Sequence, residues 1–170
     1  MWKNEDEMFA LMKEKLYTPV VGDILDVMGY SHQFLPAAIQ PLRDGMKVAG
    51  KACTILECNV YQAQKKPFGL LTEALDQLEK NEVYIATGAH NSAMWGEILT
   101  ATARMRGAVG AVLDGYTRDT PQVLEQDFPA FIDDSGPYLR VQVGGYNNLN
   151  EATELERRLK RAGYPTVIVR

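Results

Sequence analysis

The chain has 170 residues, 46% hydrophobic and 24% charged, with 18 Lys and Arg against 22 Asp and Glu. A formal charge of −4 excludes a strongly basic surface built to hold nucleic-acid phosphates, and no apolar run approaches the ~20 residues of a membrane helix. The length suits one domain, or one domain with a small appendage, and the scattered Gly and Pro argue against disorder. The start of the chain, Met1-Trp2-Lys3-Asn4-Glu5-Asp6-Glu7, is acidic and lacks the basic-then-apolar layout of a signal peptide. The chain therefore reads as cytoplasmic, with neither nucleic acid nor membrane as a partner.

In chain order, Met8, Leu11, Met12 and Leu16 recur at the spacing of one helix face over residues 4–16. Thr18 followed by Pro19 predicts an N-cap with Pro at the first helical position. The helix it opens, 19–28, carries Val20, Ile24, Val27 and Met28 inward and ends at Gly29. After a Pro-containing loop, residues 48–59 have the β-branched content of a strand. Cys53 and Cys58 lie an odd number of positions apart in it, so their side chains point to opposite faces. They are expected as two small buried thiols, and with only His32 and His90 no zinc site of the usual Cys/His kind is expected. Residues 67–80 are helical, with Leu70, Leu71, Ala74, Leu75 and Leu78 on one side.

Residues 82–86 form a short strand, 87–95 a loop, 96–106 a helix ended by Gly107, and 108–113 a second apolar strand. Asp114-Gly115 then turns the chain into Tyr116-Thr117-Arg118-Asp119. This is a strand–helix–strand unit of the kind that makes right-handed parallel crossovers. Loops leaving the carboxyl ends of its two strands lie on the same sheet edge, so 87–97 and 114–119 should face one another. The helix starting near Gly96 offers unpaired N–H groups and a partial positive charge, suited to a carboxylate. Arg118 from the opposite loop can grip a carboxylate or keto-acid oxygen pair. Asp119 is a hard oxygen ligand for Mg²⁺ or Mn²⁺. Together they describe a pocket for a small α-keto acid chelating a divalent metal; the alternative is a plain surface turn with Glu97 as an ordinary first-turn acid.

Four segments, 18–29 (TPVVGDILDVMG), 48–54 (VAGKACT), 93–97 (AMWGE) and 106–119 (RGAVGAVLDGYTRD), resemble in order the motifs of the RraA-like family. That family includes 4-hydroxy-4-methyl-2-oxoglutarate (HMG/CHA) aldolases with oxaloacetate decarboxylase activity and a non-catalytic regulator of ribonuclease E. The resemblance runs from about Leu16 to Phe131, and Glu97 precedes Arg118-Asp119 at the family's spacing. It implies an α/β swivelling ββα (phosphohistidine-domain-like) fold, and trimers or hexamers with sites at subunit interfaces. It also implies a Mg²⁺-dependent (or Mn²⁺-dependent) class II-type aldolase or decarboxylase that forms a pyruvate enolate. Carried over, Asp119 holds the metal, Arg118 binds the pyruvoyl end, and the backbone of Gly96, Glu97, Ile98 and Leu99 binds the substrate carboxylate. Metal and guanidinium would both stabilise the developing enolate charge. Asp119 favours the enzyme branch, since the non-catalytic regulators tend to lose it. Where the aldolases usually place another acid, three residues after Asp119, this chain has Gln122, which cannot act as a base; Glu125 is a candidate substitute. His90, in the 87–97 loop, is a further candidate substrate contact.

After 132–137 the chain is expected to depart from that family. Residues 138–170 resemble half of a SPOR (septal peptidoglycan-binding) domain: Leu139, Val141 and Val143 alternate, Asn148 or Asn150 caps a helix bearing Ala152, Leu155 and Leu159, and Gly163 ends it. The expected organisation is thus 1–131, a junction, and a 138–170 βαβ segment that replaces the family's last strands, as in a chimera, engineered or natural. A unit of about 34 residues cannot fold alone, so it should pack on the first part or another copy, and peptidoglycan is not expected as its partner. The leading reading is a metal-dependent lyase on a pyruvoyl-containing acid; the alternatives are a non-catalytic regulator or structural protein with a silent site and, third, glycan binding.

Overall fold

The computed structural model describes residues 2–58, 60, 65–66, 68–88 and 92–133, together with Thr153, Glu154, Arg157, Arg158, Lys160 and Arg161, which are helical. The chain divides into two compact units, Met1–Pro137 and Tyr138–Arg170. The expected strands and helix face of 138–170 lie outside the described residues, as does His90.

Helix α1 (Glu5–Lys15) starts where the Asn4 side chain accepts a hydrogen bond from the Glu7 N–H at 2.9 Å, and three acids in its first turn suit the helix dipole. Its one buried residue is Phe9, not the expected stripe: Leu11 and Met12 are exposed. Polar contacts fasten α1 instead. Asp6 accepts from Asn81 Nδ2 at 2.7 Å and pairs with Lys80, and Glu5 pairs with Lys51.

Helix α2 (Thr18–Val27) begins one residue earlier than expected, with Thr18 inside it and no side-chain cap. It closes in a Schellman arrangement: the Gly29 N–H donates to Asp26 O and the Tyr30 N–H to Leu25 O, with Gly29 at φ +84°. The expected inward face is overturned at three of its four positions. Val20 is half-buried as expected, together with Val21 and Leu25, whereas Ile24, Val27 and Met28 are exposed, and no α2 residue is fully buried.

The main sheet holds β1 (Ile39–Pro41), β2 (Lys51–Leu56), β3 (Glu82–Thr87), β5 (Gly110–Leu113) and β7 (Ala130–Asp133) in the order β1-β7-β5-β3-β2. β1 is antiparallel to β7 and the other pairings are parallel. Helices α3 (Gly69–Asp76), α4 (Glu97–Arg106) and α5 (Thr120–Glu125) lie in the successive crossovers. The strands advance in one direction, so right-handed crossovers place the three helices on one face. A core of Leu75, Leu78, Tyr84, Ala86, Trp95, Ala103, Ala111, Leu113 and Phe128 fills the space beneath them. β5 is buried at all four positions, as expected for a central parallel strand.

Several boundaries shift. β2 ends at Leu56, so Cys58 lies past the strand and is exposed, while Cys53 is half-buried. Of the expected apolar side of α3, Leu75 and Leu78 are buried but Leu70 is exposed. α5 has no counterpart in the expected elements. The 87–95 segment, expected as loop, contains β4 (Ala93–Trp95), which pairs in parallel with β6 (Tyr116–Thr117).

Candidate functional site

The second, two-stranded sheet makes the site. β4 follows β3 and β6 follows β5, so the segments leaving two adjacent strands are themselves paired, Ala93 opposite Tyr116 and Trp95 opposite Thr117. The facing of 87–97 and 114–119 expected from the crossover is therefore present. The Arg118 N–H donates to Trp95 O at 2.9 Å, and Thr117 Oγ1 to the same oxygen at 3.2 Å. At the strand ends, Thr87 Oγ1 donates to Asp114 Oδ2 at 2.6 Å. None of these ties was legible in sequence, because β4 and β6 are too short to show a period.

Gly96 stands where the two segments come closest. A Cβ built on it would lie 2.8 Å from Asp119 Oδ2 and 3.0 Å from Arg118 Cγ. A side chain at 96 would thus occupy the place of the two charged groups. Its backbone is extended, so steric room rather than backbone conformation requires glycine here. Gly96 is also the N-cap of α4, and its carbonyl accepts from the Thr100 N–H (3.0 Å) and Thr100 Oγ1 (2.9 Å). The first-turn N–H groups that follow have no acceptor inside the helix.

Asp119 caps α5 with φ +55°, a left-handed conformation that Asp tolerates better than most residues. Its side chain is 37% exposed and Oδ2 accepts from Arg118 Nε at 3.3 Å; the Arg118 side chain is 69% exposed. A carboxylate and a guanidinium are therefore presented together at an accessible edge beside a helix N-terminus. The remaining sequence candidates fare unequally. Glu97 is exposed and its carbonyl accepts from Gln126 Nε2 at 3.1 Å. The Ile98 side chain is exposed, and Leu99 packs against the core, so for these two only the backbone could serve a ligand. Gln122 and Glu125 are exposed on α5.

Beneath the site, Trp95 packs between Tyr84 (ring centroids 4.9 Å) and Phe128 (6.3 Å). The Tyr84 hydroxyl and the Trp95 indole N–H are buried with no hydrogen-bond partner among the described residues. Burial raises the Tyr84 pKa, with smaller contributions from Glu57 and Cys53, and burial likewise raises that of Glu57, just past the end of β2.

The donor set accommodates a divalent cation of one kind. Among the described residues no group of three or more His, Cys, Asp or Glu could hold a metal, so a cage made wholly of protein ligands is absent there. Mg²⁺ takes one or two carboxylates and completes its shell with water and substrate oxygens. The accessible Asp119 carboxylate, beside the space that glycine leaves at 96, fits that requirement.

A family model described as RraA-like (Aldolase/RraA) matches residues 18–156. DlpA of Legionella pneumophila is 30% identical over 138 residues, which cover 79% of this chain and 21% of DlpA. A solved structure described as novel cellulases from microbes associated with the gut ecosystem superposes with TM-score 0.68 at 31% identity, covering 78% of this chain and 60% of the other. RraAS2 of Streptomyces coelicolor, described as an unusual member of the RNase ES inhibitor RraA protein family, superposes at 0.62 with 21% identity, covering 83% and 70%; that likeness bears on the fold alone. This chain spans only about a fifth of the length of DlpA. The family match runs through 131–137 to residue 156, so the comparisons give the SPOR-like and chimeric readings of the C-terminal segment no support.

Proposed function

This chain belongs to the RraA-like family, and from that premise we propose that it is a divalent-metal-dependent carbon–carbon lyase acting on a pyruvoyl-containing acid. The family includes HMG/CHA aldolases, often metal-dependent, as well as non-catalytic ribonuclease E inhibitors. The observation that carries the catalytic reading is the placement of Asp119 and Arg118 against the space left by Gly96. In cleavage, the bond between the pyruvoyl methylene and its carboxyl or carbinol carbon breaks. Its electron pair passes into the pyruvoyl carbonyl to give the enolate of pyruvate, which then takes a proton from water. Carbon dioxide leaves from the ionised carboxyl, or a second keto acid leaves as the carbinol hydroxyl gives its proton to water. Arg118 binds the pyruvoyl oxygens and stabilises the charge that develops there. The α4 N-terminus, from Gly96 to Leu99, receives the substrate carboxylate. Asp119 would hold Mg²⁺ or Mn²⁺, which when bound supplies Lewis-acid polarisation of the keto acid. His90 is proposed as no more than a further substrate contact.

The test is pyruvate release from oxaloacetate and from HMG, with and without chelator, in the parent, Asp119→Ala and Arg118→Ala. Metal-dependent release should fall at least about 100-fold in both variants. Because Arg118 is largely exposed, its loss should change stability by no more than about 0.5 kcal/mol. Release that survives chelator or Asp119→Ala removes the proposal. A second reading, a silent site in a binding protein, is favoured by Gln122, an exposed amide where the aldolases carry an acid. An intact fold with release only at the free-metal background would establish it.

A further inference from the structure

Helix α5 carries Asp119 at its start, and its own contacts do little to fix it. It has six residues and one buried side chain, Val123. Both ends are flanked by an aspartate in the left-handed region, Asp119 at φ +55° and Asp127 at φ +50°. Residues other than glycine carry strain there and persist only where the surroundings impose that conformation. A short helix with a single apolar anchor can rotate about it, so bonds at its two ends decide where Asp119 lies. At the first end the Arg118 N–H donates to Trp95 O at 2.9 Å. At the far end two side chains reach out. Asp127 pairs with Arg43 at 2.5 Å, but both side chains are more than half exposed, a setting in which an ion pair holds little. Gln126 is half-buried, and its Nε2 donates to Glu97 O at 3.1 Å. Glu97 is the first residue of α4 and directly follows Gly96. A carbonyl oxygen has two lone pairs, so this bond adds to those of the helix itself. α5 is thereby tied at both ends to one short stretch, Trp95 to Glu97, against which Asp119 and Arg118 are placed.

We propose that Gln126 is a positioning residue: its side-chain bond to Glu97 O holds α5, and with it Asp119, against the space at Gly96. This role rests on the lyase reading, in which Asp119 holds the metal. Gln126 touches neither metal nor substrate and acts through the placement of Asp119. Groups that orient a metal ligand typically change metal affinity or activity by about 10–100-fold. A misplacement of about 1 Å at a reacting centre can cost about 100-fold in rate. The feature required at 126 is a donor of the right reach, since its partner is a backbone oxygen. The α4 N-terminus, which receives the substrate carboxylate, keeps its own helix bonds when Gln126 lets go. Loosening α5 should therefore act on metal binding and kcat more than on KM.

The test measures Mn²⁺ affinity by electron paramagnetic resonance, and pyruvate release, on the full chain in the parent and its variants. Gln126→Met keeps the length and bulk of the side chain but removes the donor. Mn²⁺ affinity and kcat should each fall about 10-fold, while KM changes by less than about 3-fold. The melting temperature should stay within about 3 °C of the parent. Gln126→Lys restores a donor of similar reach, with a charge suited to the end of a helix, and should recover at least about half of both losses. Arg43→Ala cuts the other side-chain tether at this end of α5 and should match the parent within about 2-fold. Should Gln126→Met misfold, Gln126→Ala decides the matter in its place. Parental affinity and kcat without the donor overturn the proposal. Losses that Gln126→Lys does not recover, or an equal loss in Arg43→Ala, overturn it as well, because the bond to Glu97 would then hold no special place. A parent that neither binds Mn²⁺ nor releases pyruvate with metal removes the lyase reading and this role with it. A competent parent with an unchanged Gln126→Met removes this role alone.

Discussion

At Gly96 the missing side chain has a positional meaning that composition cannot convey. A methyl group there would meet Asp119 Oδ2 at 2.8 Å and Arg118 Cγ at 3.0 Å, so Gly96→Ala must displace the carboxylate or the guanidinium stem. Both groups are accessible to solvent and can swing aside at modest cost. Turnover in the pyruvate-release assay should therefore fall at least about 10-fold, while the melting temperature moves by only about 2–4 °C. A large loss of stability with turnover intact would show that Gly96 serves packing alone. Asp119 was visible in sequence as an acid beside an arginine; its left-handed backbone, which turns the chain into α5, was not. Cys58 shows the converse error. Its expected burial assumed two further residues of strand, and β2 stops at Leu56.

Among the elements, α1 is tethered more by charge than by apolar burial. With Phe9 as its one buried residue, its position depends on Asp6, which accepts from Asn81 and pairs with Lys80. The Asn81 and Lys80 hydrogen bonds hold the Asp6 carboxyl below its ordinary value. A carboxyl depressed in the folded state contributes stability above its unfolded pKa, and that contribution is lost as pH falls through the folded value. At about pH 7, Asp6→Ala should speed amide hydrogen exchange in α1 while β3 and β5 keep their protection; the difference from the parent should shrink in about 1 M salt, and shrink also as pH falls below about 4. Equal protection of α1 in parent and variant at neutral pH would show that Phe9 alone secures it. The α2 helix was legible as a helix and misread as to its face. Periodicity identifies apolar positions on both sides of such a helix, but only packing determines which side meets the body of the fold.

For the whole molecule, stability rests on the space between the sheet and its helices. Leu78, just past α3, is 1% exposed and belongs to the same cluster as Tyr84 and Trp95. Leu78→Ala should cost about 2–5 kcal/mol through lost contact and the cavity left behind, seen as a fall in melting temperature of about 5–15 °C. A drop under about 1 kcal/mol would show that neighbouring side chains collapse into the space. Alternating strands and helices, with glycine at Gly107 ending α4, made the parallel α/β architecture readable from order and composition. They also predicted that the segments after β3 and β5 would meet. Handedness and strand direction dictate that outcome for any sequence of this pattern. The ordered motifs likewise identified the family. What the tertiary structure alone decided was contact between residues distant in the chain: the β4–β6 pairing, Gly96 against Asp119, and the side of α2 that stays open. Local propensity and period act over a few residues, whereas those contacts depend on how whole elements pack, and no short stretch of sequence encodes that.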